Sequence, residues 1–376
     1  MNTLEELRNR LDKIDKELIE KYKERMEISK EVGEIKVEMG REVLDPIREQ
    51  EKINQVTEGF QDPFLKTGIA ELYQQLFTQS RMLQYQVFIN RGEDAKQGFQ
   101  EVDEIAGKGK RVIYQGVQGA YSHQAARDFF GEDAFYTNVT TFKDAFEAVR
   151  EGRGDYAVLP MENSSAGKVG DVYDLLVKYD LSIVGEIVLP ISHTLSGVES
   201  SSIESIERVY SHNQAIMQSK EFLNQHPKWE LNSMENTALA AKFVSEANDP
   251  RYGAICSEEA SKLYQLKVLA KEINQVDNNS TRFVVVSKAK IYRKDAEKIS
   301  VCIELPHETG SLYRILSHVI FNGLNMTKIL SRPIKHKTWE YRFFLDFEGN
   351  LKDGSVQNAL IGIENESRKL KIFGNY

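Results

Sequence analysis

Leu4, Leu7, Leu11, Ile14 and Leu18 recur at alternating spacings of three and four, with charged residues between them. That period draws one apolar stripe along a helix. Tyr22, Ile28, Val32 and Ile35 continue it, and a lone Gly33 is tolerated, so nothing stops the helix before Gly40. A helix of nearly 40 residues is about 60 Å long. No 90-residue domain buries that length alone, so the stripe predicts a second long helix beside it, from another copy of the chain. Asp45-Pro46 supplies an N-cap and a proline at the first helical position, predicting a second helix to about Thr57. A third is predicted from about Pro63 to Phe88.

Residues 91–110 are polar, with Gly92, Gly98, Gly107 and Gly109, and read as a linker. From 111 the period changes. Strand-like and helix-like runs alternate: RVIYQGV with SHQAARDFF, TFKDAFEAVREGR with DYAVLPM, RVYSH with QAIMQSKEFL, and TALAAKFVSEA with YGAICS. The segment closes on TRFVVVS at 281–287. Alternation of this kind predicts an α/β domain over 111–288 with mainly parallel strands. After a second linker at 289–298, residues 299–376 read βαββαβ, the plan of an α+β ferredoxin-like domain.

Composition narrows the function. Of the 376 residues, 41% are hydrophobic and 28% charged, which excludes disordered and collagen-like classes. A net charge of −8 argues against a nucleic-acid partner, though local cations can still hold a small anion. Cys256 and Cys302 form no CxxC, so neither a disulfide framework nor a zinc site is expected. The N-terminus lacks an apolar secretory core, and no stretch reaches a membrane-span length of about 18 apolar residues, so the expectation is a cytoplasmic protein without a membrane partner.

Arg25 and Lys36 are 11 positions apart, close to three helical turns, and so share a side of the first helix. Arg8 lies 17 positions before Arg25, about 25 Å away and on another side. An antiparallel partner helix can bring it to the same ligand. The same charges also suit the solvated face of an amphipathic helix. The run LRNRLDKIDKELIEKYKERMEISKEVGEIK with LDPIRE, however, resembles the all-helical chorismate mutase family over nearly all of residues 1–90. The resemblance implies a ligand set of Arg8, Arg25, Lys36, Asp45, Arg48, Glu49, Ser80 and Gln84. Arginines suit bidentate capture of a dicarboxylate. Lys36 and Gln84 would stabilise charge on the breaking ether oxygen, and Glu49 would accept from the ring hydroxyl. Arg8 would come from the other subunit of a homodimer.

Four later segments combine glycines or polar residues with strand ends: QGVQGAYSHQAA at 115–126, PMENSSAG at 160–167, VYSHNQAIMQ at 209–218 and NNSTRF at 278–283. Singly, each is also ordinary turn chemistry. Together they resemble prephenate dehydratase, a two-lobed periplasmic-binding-type fold, over residues 111–288. Val117 stands where that family usually has proline. The resemblance implies that Thr281 hydrogen-bonds to or protonates a departing hydroxyl, with Glu162 as relay candidate. Asn163, Ser164, Ser211 and Gln218 would bind substrate. Arg282 would hold a carboxylate or support its strand. His193 and His212 are alternative acids or structural hydrogen-bonding groups.

GSLY at 310–313 and SRP at 331–333 resemble the signatures of the regulatory ACT domain. They imply a phenylalanine site at Gly310, Ser311, Leu312, Asn325, Ser331 and Arg332; a plain dimerisation domain is the alternative. Leu330 stands where that pattern has glutamate. The combined resemblance implies a bifunctional enzyme, a homodimer or higher homo-oligomer, taking chorismate through prephenate to phenylpyruvate, and neither reaction calls for a metal or organic cofactor. A dehydratase with an inactive mutase domain and a non-enzymatic amino-acid sensor are the competing readings.

Overall fold

Thr3 opens the first helix, α1 (Leu4–Glu38), through a reciprocal capping box with Glu6. Gly40, at φ +62°, sits just past its end. Asp45 caps α2 (Pro46–Thr57) by accepting the Arg48 N–H at 3.0 Å. Asp62 does the same for α3 (Pro63–Asn90). These are the three helices the sequence predicts. Gly33 is more than tolerated: a Cβ there would come within 3.0 Å of Gln84 Cγ, so its absence lets α1 and α3 approach. From Thr3 to Glu24 every residue of this first stretch is exposed, the leucine stripe included.

The computed structural model describes residues 3–92, 95–165, 167–275, 278–308, 310–334, 337 and 340–376. It divides into two units, Met1–Phe99 with Ala296–Ile372, and Gln100–Asp295 with Phe373–Tyr376.

In the first unit the three helices share a body with the C-terminal segment. That segment runs strand Lys298–Glu304, helix Ser311–Phe321, strands Met326–Pro333 and Tyr341–Glu348, helix Gly354–Glu366 and strand Lys369–Asn375. This is the βαββαβ order read from the sequence. Met326–Pro333 is an edge strand, beside Tyr341–Glu348. Val43, Tyr85, Ala95 and Ile361 form one buried apolar cluster across the two segments, and the Asn358 amide donates to the Met82 carbonyl at 2.8 Å.

The second unit holds two sheets. One runs Phe135–Val139, Arg111–Gln115, Tyr156–Asn163, Ser280–Ser287, Ser182–Pro190. The other runs Lys267–Ala270, Thr194–Gly197, Tyr252–Cys256, Arg208–His212, Glu230–Met234. Both are mixed, which corrects the expectation of mainly parallel strands. Ser280–Ser287 is antiparallel to both neighbours, as is Thr194–Gly197. A buried apolar run such as FVVV reads the same in either orientation.

Two further corrections concern boundaries. The stretches read as linkers each carry a strand, Gln100–Val102 and Ile291–Arg293, which pair in parallel. In PMENSSAG the strand continues to Asn163 before any turn begins. Among the described residues, no helix is long and apolar enough to cross a membrane.

Candidate active sites

A cavity of about 480 Å³ opens between α1, α2 and α3. Arg25, Lys36, Asp45, Arg48, Glu49, Ser80 and Gln84 all line it, seven of the eight residues expected from the sequence. Arg8 does not; it is exposed on the free end of α1. The lining carries six cations (Lys21, Arg25, Lys36, Arg48, Lys52, Arg81) against three carboxylates (Glu24, Asp45, Glu49), so it is locally positive in an acidic chain. Arg25 Nη1 donates to Ser80 Oγ and, at 3.1 Å, to the Leu76 carbonyl, which aims the guanidinium along the wall. Lys36 Nζ donates to the Val43 carbonyl. Burial lowers the Lys36 ammonium from its ordinary range, opposed by Asp45 and Glu49. Burial raises the Glu49 carboxyl, opposed chiefly by Arg81. Gln84 Oε1 is buried without a hydrogen-bond donor among the described residues.

A second cavity, about 280 Å³, lies in the other unit and draws on both sheets. Thr281, Asn163 and Gln218 line it. Asn163 Nδ2 donates to Thr281 Oγ1 at 2.8 Å, so the Thr281 oxygen is an acceptor and its proton is available to donate. Ser165 donates to Asn163 Oδ1 at 2.8 Å and accepts from Gln218 Nε2. Gln218 Oε1 in turn meets His193 Nε2 at 3.0 Å. With Gln218 Oε1 as acceptor, His193 carries its proton on Nε2 and meets the Tyr121 hydroxyl through Nδ1 at 3.2 Å. Burial lowers both His193 and His212 from the ordinary histidine range, favouring the neutral rings. Among the described residues, no lysine or arginine lines this cavity; the N-termini of helices Tyr121–Phe130 and Thr237–Ala247 line it, with Glu235 beside the second.

Four residues expected at this site lie elsewhere. Glu162 and Arg282 are register partners one position from the Asn163–Thr281 pair, and strand alternation turns them away. There Arg282 meets Glu186 at 3.2 Å and Glu162 at 3.6 Å. Ser164 Oγ accepts from the Ser280 N–H at 2.9 Å and donates to the Asn278 carbonyl, tying strand ends together. Ser211 is fully buried and donates to the Ile255 carbonyl at 2.7 Å.

Residues 7–85 match the chorismate mutase type II family, and residues 112–291 the prephenate dehydratase family. Over its whole length the chain is 34% identical to the bifunctional chorismate mutase/prephenate dehydratase of Aquifex aeolicus (strain VF5), covering 98% of that protein. The chain belongs to the bifunctional chorismate mutase/prephenate dehydratase family. Among solved structures it is similar to the prephenate dehydratase from Arthrobacter aurescens in complex with L-Phe, with 30% identity and a TM-score of 0.65 over 71% of this chain and 89% of that one. It is also similar to GqqA, described as a novel type of quorum quenching acylase, with 27% identity and a TM-score of 0.63 over 70% of this chain and 97% of that one.

Family membership makes the residues that sequence reasoning missed more telling. Arg81 lines the first cavity, yet stands next to Ser80 with no spacing signal of its own. Asn236 and Thr237 line the second, brought there as helix-opening residues; Tyr121 and Ser122, at the helix start inside the segment 115–126 that the sequence singles out, line it too. In the C-terminal segment, Gly310 caps helix Ser311–Phe321 at φ +78°, so Ser311 and Leu312 begin its first turn. Asn325 immediately precedes the edge strand that carries Leu330, Ser331 and Arg332. Leu330 faces Phe344 across the ladder, and Arg332 faces Arg342, whose charge Glu304 meets at 2.7 Å.

Proposed function

We propose that chorismate binds in the cavity of α1, α2 and α3, and prephenate in the cavity between the two sheets. One chain then takes chorismate to prephenate and on to phenylpyruvate, releasing CO2 and water. The contrast between the cavities carries this reading. The first surrounds its occupant with cations, which suits an intramolecular rearrangement of a dicarboxylate, a reaction that needs binding and charge stabilisation and no nucleophile. The second offers helix N-termini for carboxylates and a hydroxyl poised to donate, as loss of a hydroxyl leaving group requires.

In the first cavity Arg25 and Arg48 hold carboxylates. Lys36, with the Gln84 amide turned inward, meets the ether oxygen as charge grows there, and Glu49 accepts from the ring hydroxyl. Arg8 comes from a second copy, whose α1 covers the exposed leucine stripe. Asp45 serves chiefly as the α2 cap, which fixes Arg48 and Glu49 on the first turn. In the second cavity Thr281 donates to the departing hydroxyl while the Asn163 amide steadies its oxygen. Gln218 orders the loop through Ser165. Residues 1–90, 111–288 and 299–376 are the functional segments, the last an ACT-type sensor.

Incubating the purified protein with chorismate tests both assignments. Phenylpyruvate is expected from the wild type. Lys36→Ala should lower chorismate turnover by about 10²–10³-fold, the cost of one lost charge-stabilising donor, and leave prephenate turnover intact. Accumulated prephenate in the wild type would remove the dehydratase assignment; unchanged chorismate would remove the mutase assignment, and prephenate supplied directly would then decide the dehydratase.

The relative crystallised with L-Phe supports phenylalanine as effector for the C-terminal segment. Leu330 offers no charge to a ligand ammonium, so binding is expected to be weak and to strengthen in Leu330→Glu. Calorimetry with L-phenylalanine checks this; no heat from either protein would make the segment a dimerisation module.

A further inference from the structure

Arg81 stands on α3, one residue past Ser80, and is only 3% exposed. Its Nη1 donates to Glu49 Oε1 at 2.5 Å, and its Nε to Glu366 Oε1 at 2.7 Å. Nη2 donates to Thr78 Oγ1 at 3.2 Å. Glu366, at the end of helix Gly354–Glu366, also bonds His318 Nε2 at 2.8 Å. His318 is fully buried against Gly362, where a Cβ would come within 2.4 Å of its Nδ1. One guanidinium therefore joins a carboxylate facing the chorismate cavity to a carboxylate fixed in the C-terminal segment.

The arrangement does more than neutralise a buried charge. Glu366 already answers Arg81 through two nitrogens, at 2.7 Å and 3.4 Å. The remaining nitrogen reaches Glu49, which is a quarter exposed and lines the cavity. α2 needs such a hold, because Thr57 is its one buried residue. Its first turn is otherwise tied down by its own cap.

We propose that Arg81 is a positioning residue for chorismate rearrangement: it holds the Glu49 carboxylate for the ring hydroxyl, and Glu366 holds Arg81, so the C-terminal segment braces the mutase site. This rests on chorismate binding in the cavity of α1–α3. A guanidinium fork fixes a carboxylate in direction as well as place, and a misplacement of about 1 Å at a reacting group costs about 10²-fold in rate.

The charges around Glu49 set its titration. Arg25 and Lys36 face it from α1, Arg81 and Tyr85 from α3, Glu366 from helix Gly354–Glu366, and His318 and Arg314 stand behind on helix Ser311–Phe321. Against the upward push of burial, Arg81 lowers the Glu49 carboxyl and Glu366 raises it. Arg81→Met should therefore move the acid limb of kcat/KM for chorismate to higher pH, and Glu366→Gln should move it to lower pH.

The test uses the full-length protein, with prephenate turnover as an internal control. Arg81→Met is expected to lose about 10²-fold in kcat/KM for chorismate, Glu366→Gln to lose less, and Arg81→Lys to recover the limb but only part of the rate. A fall in kcat/KM for chorismate in both variants, smaller in Glu366→Gln, with prephenate turnover kept and the limb restored in Arg81→Lys, supports the bracing. Wild-type kcat/KM for chorismate in Glu366→Gln overturns it whatever the limbs do, because the two charges move the limb in opposite directions without any bracing. If Arg81→Met does not fold, the kcat/KM of Glu366→Gln decides. Wild-type turnover in Glu49→Ala would instead overturn the placement of chorismate, and the bracing with it.

Discussion

Replacing Thr281 by valine is expected to lower prephenate turnover by about 10²–10⁴-fold, the usual worth of a positioned proton donor, while chorismate turnover stays at its wild-type rate. Valine keeps the shape of threonine and removes only the hydroxyl. That hydroxyl accepts from Asn163 Nδ2 at 2.8 Å, so its own proton points to whatever else approaches. Departure of a hydroxyl as water needs one proton, and aromatisation of the ring supplies the driving force for losing CO2 in the same step. A lone threonine is a weak acid, and the amide behind it works in the helpful direction: a donated hydrogen bond stabilises the oxygen as its proton shifts. Thr281→Ser should keep much of the rate, and Asn163→Leu should lose a part of what valine loses. Separate assays of the two steps measure this. Retention of prephenate turnover within a few-fold in Thr281→Val would take Thr281 out of the chemistry.

The two sites were legible to different degrees, for physical reasons. On α1, α2 and α3 the ligand residues sit on regular helices, where spacing fixes direction, and seven of eight expected residues line one cavity. Arg8 had to be elsewhere, since a straight helix cannot fold back on itself. On the strands, one position decides everything. Asn163 and Thr281 face the cavity, whereas Glu162 and Arg282 face the opposite side and pair with each other and with Glu186. A motif names neighbours together; the pleat separates them. Ser211 was misleading because a strand-end serine and a buried one look alike until its partner, the Ile255 carbonyl, is known. Arg81 was invisible because its partners lie 32 positions before it and 285 after it. Contacts of that sequence separation leave no periodic trace.

Arg8→Ala and Arg25→Ala, each nearly inactive alone, should recover about a quarter of wild-type mutase turnover when mixed and allowed to exchange subunits. Each substitution removes a carboxylate partner from a desolvated pair, a loss of about 2–5 kcal/mol, or roughly 30- to several-thousand-fold. The recovery follows from geometry. Arg25 lines the cavity of its own chain, and Arg8 stands on the exposed end of the same helix, about 25 Å away by helical rise. Leu4, Leu7, Leu11, Ile14 and Leu18 are each at least 43% exposed there, a stripe that an antiparallel α1 would cover. In such a pair every site takes Arg25 from one chain and Arg8 from the other. A mixed dimer then has one site with both arginines intact and one with neither. Random exchange makes half the dimers mixed, with half their sites whole. Turnover remaining at the level of the separate variants, with subunit exchange verified by a tagged chain, would place Arg8 outside the site. Because the chorismate site would then be confined to one chain, the leucine stripe would need another explanation. Recovery to a quarter ties the stripe, the helix length and the missing arginine to one cause.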